Sequence, residues 1–145
     1  MVSKLQSNLL KMGIIVNYKN VEIDRAEKNV LKGVTFTLSK GDFYYLVGRV
    51  GSGKSSLMKT IYADVPIRSG DKADVLDFDI LNIKKSQIPY LRRKVGIVFQ
   101  DFQLLQDRSV SGNLKFVLNA TGWKNREEIE SRIDEVLNMV GMANK

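Results

Sequence analysis

The sequence predicts an α/β fold built around a strand, a glycine-rich loop and a helix that follow one another directly. Residues 43–47 are aromatic or branched and apolar, which favours a buried strand. Residues 48–55 fit the pattern G-x-x-x-x-G-K-[ST]. The helix is then predicted by apolar residues at helical spacing: Leu57, Met58 and Ile61.

The glycine-rich loop has the residue types that bind phosphate. Glycines let backbone N–H groups approach phosphate oxygens without an obstructing Cβ, and the helix directs its positive dipole end at the same anion. The Lys54 ammonium can reach the β- and γ-phosphates, and the Ser55 hydroxyl can bind Mg²⁺. We therefore expect nucleoside-triphosphate binding by Gly48, Arg49, Val50, Gly51, Ser52, Gly53, Lys54, Ser55 and Ser56.

Composition excludes several kinds of site. The 145 residues, enough for one ordinary domain, include no cysteine and no histidine. Disulfides, thiolate zinc sites, cysteine nucleophiles and a Ser-His-Asp triad are therefore excluded. No apolar run is long enough to span a bilayer, and the N-terminal residues lack the pattern of a signal peptide, so we expect a cytosolic protein.

The net charge of +7 permits contact with an anionic partner such as nucleic acid, nucleotide or a lipid surface. The densest basic run is residues 92–94, with Lys84 and Lys85 upstream. A solvated helix face is favoured for this run over a binding surface. The aromatic residues lie mostly in predicted strands and are not interleaved with the basic ones, so nucleic-acid binding is disfavoured.

Two strands are predicted before the strand-loop-helix unit. Residues 1–13 are weakly patterned, and we expect a frayed N-terminus there. Alternating apolar residues predict strands over 14–23 and 30–38, with a charged hairpin loop over 24–28 between them. The two strands should therefore pair in antiparallel fashion.

A third antiparallel strand is predicted over residues 71–80, after the helix over 54–62 that follows the glycine-rich loop. Apolar residues alternate there with Asp77 and Asp79, which is typical of a half-exposed strand. The two carboxylates would share one face and could bind a metal ion. A solvated outer face is favoured instead, because no third ligand lies nearby in the sequence.

The remaining residues predict a short helix, a buried strand and two longer helices. Pro89 suits the first turn of the short helix, and residues 96–99 form an apolar run typical of a buried strand. Polar residues from Gln100 onward follow at its carboxyl end, where ligands bind in open α/β sheets. Predicted caps and breaks of the longer helices are Ser109, Thr121, Gly122, Asn125 with Glu128, and Gly141.

The order of these motifs resembles the N-terminal half of an ABC-transporter ATPase. Residues 48–55 correspond to its Walker A motif, and residues 91–100 look like the lead into its Q-loop. Gln100 would be the Q-loop glutamine, which in the family contacts Mg²⁺ and the attacking water. Residues 96–110 are most similar to the cell-division ATP-binding proteins of the family, although lipoprotein-export and macrolide-export ATPases share much of this stretch.

The resemblance implies a P-loop NTPase fold of ABC type, truncated in this chain. Residues 14–100 would form a partial ATP-binding core, with an antiparallel β subdomain, the P-loop unit and the Q-loop strand, and 101–145 would begin an incomplete helical subdomain. It implies ATP and Mg²⁺ as cofactors, with Ser55 and Gln100 as magnesium contacts. It also implies an integral membrane partner, a nucleotide-dependent homodimer of the full-length protein, and a peripheral location on the cytoplasmic face of the inner membrane.

The chain also departs from the family pattern. An aromatic residue that stacks on adenine would fall near Asp24, and no aromatic residue stands between Tyr18 and Phe36. The signature motif, the Walker B Asp-Glu pair and the switch histidine are absent. In the family, two strands that carry these groups separate the P-loop strand from the Q-loop strand, so apolar edges should be exposed here. We expect weak nucleotide binding at most and no hydrolysis by this chain alone; the alternative is a non-catalytic nucleotide-binding module.

Overall fold

The computed structural model describes residues 13–25 and 28–143. The chain divides into two compact units, Met1–Val95 and Gly96–Lys145. The first unit contains a four-stranded sheet with helices, and the second contains a loop and two helices. The predicted frayed end lies outside the described residues except for Gly13.

A long antiparallel hairpin begins the first unit and confirms the first two predicted strands. Strand β1 spans Ile14–Arg25 and strand β2 spans Lys28–Ser39. The predicted hairpin loop is shorter than expected, because Arg25 already pairs with Lys28. The pairing shifts register after Tyr18, where Asn20 has a φ of 51°. This bulge keeps four alternating side chains of β1 buried despite the break in their spacing: Val16, Tyr18, Val21 and Ile23.

The third predicted strand is wrong in form, because residues 71–80 make a hairpin. Strand β3 spans Lys72–Val75 and strand β4 spans Phe78–Asp79, and the chain reverses between them. Leu76 makes this turn with a φ of 53°, although it is not one of the residues that favour left-handed backbone. The sheet order is β2-β1-β3-β4, and every neighbouring pair is antiparallel.

Two short helices contribute to the core on this sheet. Helix α1 spans Lys54–Ile61 and helix α2 spans Ile88–Arg92, which confirms the helix after the glycine-rich loop and Pro89 in the first turn of the next. Leu57 of α1 and Leu91 of α2 belong to the same buried cluster as the inward residues of β1. A 3₁₀ helix, Ile80–Asn82, connects β4 to the segment before α2.

The two buried strands predicted before the glycine-rich loop and before Gln100 are not formed. Residues 43–47 and 96–99 have no strand assignment, and none of the described strands pairs with them. The side chains of Tyr45, Val47 and Val98 are 82%, 87% and 91% exposed. A strand is stabilised by backbone hydrogen bonds to a neighbouring strand, and neither run has such pairing within the described residues. One side chain does reach the sheet, because the Tyr44 hydroxyl donates to the Thr37 carbonyl of β2 at 3.2 Å.

The second unit contains the two longer helices at the predicted places. Helix α3 spans Val110–Ala120 and helix α4 spans Arg126–Met139. Ser109 and Asn125 accept backbone hydrogen bonds at the two helix starts, as predicted. At the end of α4, the N–H groups of Gly141 and Met142 donate to the carbonyls of Asn138 and Leu137, and Gly141 has a φ of 69°. This is the Schellman arrangement predicted for Gly141.

Candidate phosphate-binding site

The glycines of the loop are needed for its shape. Gly51 and Gly53 have φ values of 80° and 91°, in the left-handed region that side chains rarely adopt. Gly48 is needed for space, because a Cβ there would lie 2.8 Å from Ser52 Oγ. The pattern that predicted the loop therefore corresponds to three separate backbone requirements.

Within the residues that the structure describes, no side chain caps the positive end of α1. Gly53 is the N-cap residue and provides no side-chain cap, and the first turn contains no acidic residue. The carbonyl of Gly53 accepts the hydrogen bond from the Leu57 N–H at 2.9 Å, so regular helix begins here. An anion at this end would find unpaired N–H groups and a favourable helix dipole.

Lys54 closes the loop by bridging its first two residues. Its Nζ donates to the carbonyl oxygens of Gly48 and Arg49, each at 2.8 Å. An ammonium group has three donors, so one remains for a ligand. The positive charge is thus held over the loop by the protein's own backbone, beside the helix N-terminus.

The serines after the lysine differ in exposure. Ser55 is exposed, and among the described residues its hydroxyl has no hydrogen-bond partner, so it is available to a metal ion. Ser56 is buried, so a contact with phosphate would have to come from its backbone N–H. Arg49, Val50 and Ser52 are exposed. The predicted residues 48–56 therefore form one continuous local structure.

A buried hydrogen bond fixes α1 to the sheet. The hydroxyl of Tyr18 on β1 lies 3.0 Å from Thr60 Oγ1, and Thr60 donates to the carbonyl of Leu57 at 2.6 Å. Burial raises the pKa of Tyr18 to about 12. This pair was not predicted from the sequence; the available signal was a threonine on the apolar face of the helix, where its hydroxyl needs a partner.

Gln100 lies in a turn of the second unit and is exposed, whereas Ser55 belongs to the first unit. A shared magnesium contact between them stays a prediction.

The loop after Gln100 is organised by Asn113, whose structural role was not predicted from the sequence. Its side chain accepts from the Leu105 N–H and donates to the carbonyls of Leu105, Arg108 and Ser109.

The acidic pair considered for metal binding is engaged elsewhere. Asp77 lies in the turn between β3 and β4, where Lys94 Nζ donates to both its carboxylate oxygens at 2.9 and 3.0 Å. Asp79 caps the 3₁₀ helix by accepting from the Leu81 N–H at 3.0 Å. The expectation that the two carboxylates share one strand face is therefore wrong. Within the described residues, no group of three or more candidate ligands comes together.

Two further regions bear on ligand contact. Asp24, at the position expected for an adenine-stacking aromatic residue, forms an ion pair with Arg68 at 3.2 Å. The basic run at the end of α2 is partly exposed, but its side chains have partners within the chain. Arg92 and Arg93 lie over the rings of Tyr62 and Tyr90.

None of the helices in the described part of the chain has the length and apolar character needed to cross a bilayer.

Comparison with known proteins gives this geometry a family context. Residues 31–145 match the family model described as "ABC transporter". The chain is 40% identical to the cell division ATP-binding protein FtsE of Streptococcus pneumoniae (strain D39) over 79% of this chain and 49% of FtsE. It is 36% identical to the protein of the same name from Escherichia coli K12, over 81% of this chain and 52% of that protein.

A relative with another name matches a longer part of the chain. The methionine import ATP-binding protein MetN of Helicobacter pylori (strain HPAG1) is 35% identical over 91% of this chain and 40% of MetN. The chain thus spans about half the length of the curated relatives it matches. The family match covers most of the sequence and includes the glycine-rich loop, α1 and the segment through Gln100, and on this evidence the chain belongs to the ABC transporter family.

Proposed function

We propose that this chain binds ATP with Mg²⁺ at the loop of residues 48–55, as the ATP-binding part of an ABC-type system. One observation carries the proposal: Lys54 bridges the loop carbonyls beside a helix N-terminus that no side chain caps. A fixed positive charge and unpaired N–H groups then face the same space. This arrangement fits a polyphosphate better than it fits an uncharged ligand.

The residues of the loop would divide the work of holding the nucleotide. The backbone N–H groups from Gly51 onward would bind phosphate oxygens, and the free donor of Lys54 would bind the terminal phosphates. Ser55 would contact Mg²⁺, whose charge offsets the negative charge on the phosphates when it is bound. Gln100 would orient water or contact Mg²⁺ if the second unit brings it to the site.

ATP hydrolysis by this chain alone is not expected. The sequence has no histidine and no run of four apolar residues that ends in Asp-Glu, so it supplies neither a switch histidine nor the carboxylate that activates water in the family. Phosphoryl transfer needs an oriented water as well as a phosphate cradle. We therefore infer binding without turnover, and a stand-alone nucleotide-binding module remains the alternative to a part of a larger ATPase.

The partner proposal depends on the similarity to FtsE. Proteins named FtsE from four bacterial species match at 34–40% identity. We propose that the complete system couples ATP to an FtsX-like membrane partner in cell division, at the cytoplasmic face of the inner membrane. Function as a nucleotide-dependent homodimer is part of this proposal. Lipoprotein-export or macrolide-export ATPases are the alternative.

Calorimetric titration with Mg·ATP tests the binding proposal. The wild-type chain should bind, and Lys54→Ala should lose binding because the bridging charge is removed. Lys85→Ala removes the same charge from an exposed position outside the loop and should bind like the wild type. If the wild type does not bind, or if Lys54→Ala binds equally well, the loop is not the nucleotide site of this chain.

A further inference from the structure

The C-terminal end of α1 has an unusual conformation for its sequence. Asp64 N–H donates to the Lys59 carbonyl at 2.9 Å, and Ala63 N–H donates to the Thr60 carbonyl at 3.1 Å, which is a Schellman arrangement. Its left-handed position normally holds glycine, but here Ala63 has a φ of 54°. A residue with a Cβ in this conformation must be held by its surroundings.

Arg92 supplies contacts at this end of the helix. Its Nε donates to the Tyr62 carbonyl at 3.0 Å and its Nη2 to the Ala63 carbonyl at 3.2 Å. The guanidinium also lies 5.9 Å from the centroid of the Tyr62 ring and 3.6 Å from an Asp64 carboxylate oxygen. The guanidinium is positively charged and only donates hydrogen bonds. It therefore stabilises the carbonyl groups at the C-terminal end of α1, where the helix dipole is negative.

The position of Arg92 is fixed from its own side of the contact. Leu91, the preceding residue of α2, is fully buried in the core cluster. The side chain of Arg92 is 46% exposed, so water reaches part of the guanidinium, but both carbonyl contacts come from one planar group. The two helices are therefore joined by an anchored residue, not by a freely rotating surface side chain.

Helix α1 depends on such contacts for its direction. It has eight residues, which is too short for a helix to be stable by itself in water. The backbone of the segment before its loop, residues 43–47, pairs with none of the described strands, and its bond to the sheet comes from a side chain, the Tyr44 hydroxyl that donates to the Thr37 carbonyl at 3.2 Å. Leu57 packs the helix against the core, and its C-terminal end is held by the Tyr18–Thr60 bond and by Arg92.

We propose that Arg92 is a positioning residue for the phosphate-binding loop, acting through α1. Its bonds to the Tyr62 and Ala63 carbonyls fix one end of a short rigid helix whose other end carries Gly53 and Lys54. Release of these bonds lets the helix tilt and changes where the first-turn N–H groups point. The inference rests on the proposed function only in that the ligand used to test it is Mg·ATP.

Three variants separate this role from the general loss of a charge. Arg92→Gln removes the charge and the paired donors, and Arg92→Lys keeps the charge but cannot reproduce the planar fork. Arg93→Gln is the matched control, because the neighbouring guanidinium contacts the Tyr90 ring. The chain is studied at full length, with circular dichroism as the check on folding.

Two readouts are measured for each variant. The first is the amide NMR shifts of Gly51 and Gly53 in the nucleotide-free chain. Arg92→Gln should move both, Arg92→Lys should move them less, and Arg93→Gln should leave them in place. The second is the Kd for Mg·ATP, which should rise roughly fivefold in Arg92→Gln, about the effect of one ordinary hydrogen bond since the change reaches the loop only through α1, and remain unchanged in Arg93→Gln.

The two readouts also separate this inference from the proposed function. If the wild type fails to bind Mg·ATP, the proposed function is overturned, and the amide shifts alone decide the role of Arg92. Unchanged Gly51 and Gly53 shifts in Arg92→Gln overturn the inference, and so do equal changes in Arg93→Gln. If Arg92→Gln does not fold, the comparison of Arg92→Lys with Arg93→Gln makes the same decision.

Discussion

At the residue scale, Ala63 offers a direct test of backbone strain. Its φ of 54° would suit glycine, which adopts this region without a steric cost. Ala63→Gly should therefore stabilise the first unit by about 0.5 kcal/mol, the relief of strain being partly offset by the greater freedom of glycine in the unfolded chain. Urea unfolding measures this change. Ala120→Gly, at the ordinary helical end of α3, should bring no gain, and a loss in both variants would show that Ala63 is not strained.

The loop glycines permit a test with a close control. Gly51 and Gly41 have φ values of 80° and 92°, and an added Cβ would meet no atom within 4 Å at either position. Substitution by alanine should thus impose a similar backbone strain of about 1 kcal/mol at both sites. Only Gly51→Ala should weaken Mg·ATP binding in calorimetry, because only Gly51 lies in the loop. Equal weakening by Gly41→Ala would indicate a loss of general stability instead.

Tyr18 predicts how the stability of the first unit depends on pH. Burial raises the pKa of its hydroxyl from 10.0 to about 12, against the opposing effect of the Thr60 hydrogen bond. Between these values the unfolded chain binds fewer protons at Tyr18 than the folded chain, so the free energy of unfolding falls as pH rises. The contribution is present in full below pH 10 and is lost by about pH 12, a change on the order of 2 kcal/mol.

Alkaline urea titrations of two variants test this assignment. Tyr18→Phe should lose that part of the pH dependence, since the ionisable group is gone. Tyr90→Phe removes a hydroxyl from an exposed ring and should retain the wild-type profile. A wild-type profile in Tyr18→Phe would mean that another group causes the loss of stability.

At the element scale, the features that local sequence determines were predictable. A turn of helix needs its cap nearby, so Ser109, Asn125 and Gly141 could be assigned from spacing alone. The hairpin of β1 and β2 follows from alternation. The reversal at Leu76 could not be predicted in this way, because leucine carries no turn signal and its φ of 53° is set by the surrounding packing.

The two predicted buried strands are absent for a different reason. Residues 43–47 and 96–99 have the composition of buried strands, but a parallel strand forms only when a neighbour distant in sequence supplies its hydrogen bonds. The apolar composition of a segment indicates that it tends to be buried, but it does not indicate whether a neighbouring strand is present to pair with it. The apolar pattern therefore identified the segments and could not identify their state in this chain.

Asn113 gives an element-scale prediction for the loop after Gln100. Its side chain makes four hydrogen bonds to backbone groups of residues 105–109. Asn113→Ala should leave the Leu105 N–H without its acceptor, so hydrogen exchange at this amide should accelerate. Asn119→Ala, an exposed position of the same helix, is the control and should leave it unchanged. Equal exchange rates at Leu105 in Asn113→Ala and the wild type would contradict this role.

At the scale of the whole molecule, the candidate site was predictable only in part. The motif predicted residues 48–56 as one structure, since their geometry depends on neighbours in the chain and on α1. The magnesium contact expected of both Ser55 and Gln100 stays a prediction, because the two residues belong to different compact units and the motif does not bring them together by itself. The contact of Arg92 with the end of α1 lies within the first unit and was missed because it joins residues 29 and 30 positions apart.

The exposed apolar runs lead to the last prediction, which concerns self-association. Tyr45, Val47 and Val98 expose most of their surface in segments that pair with none of the described strands, which favours pairing between copies of the chain. Sedimentation velocity should show association that grows with protein concentration. A variant with Tyr45→Lys and Val98→Lys should associate less, because a charge opposes burial at a strand edge.

The charge added by these changes needs its own control. The chain already carries a net charge of +7, so two more lysines raise repulsion wherever they are placed. A variant with Gln103→Lys and Asn119→Lys adds the same charge at exposed polar positions. If it reduces association as much as Tyr45→Lys with Val98→Lys, general repulsion and not the apolar runs controls association. A chain that stays monomeric at every concentration would contradict the prediction altogether.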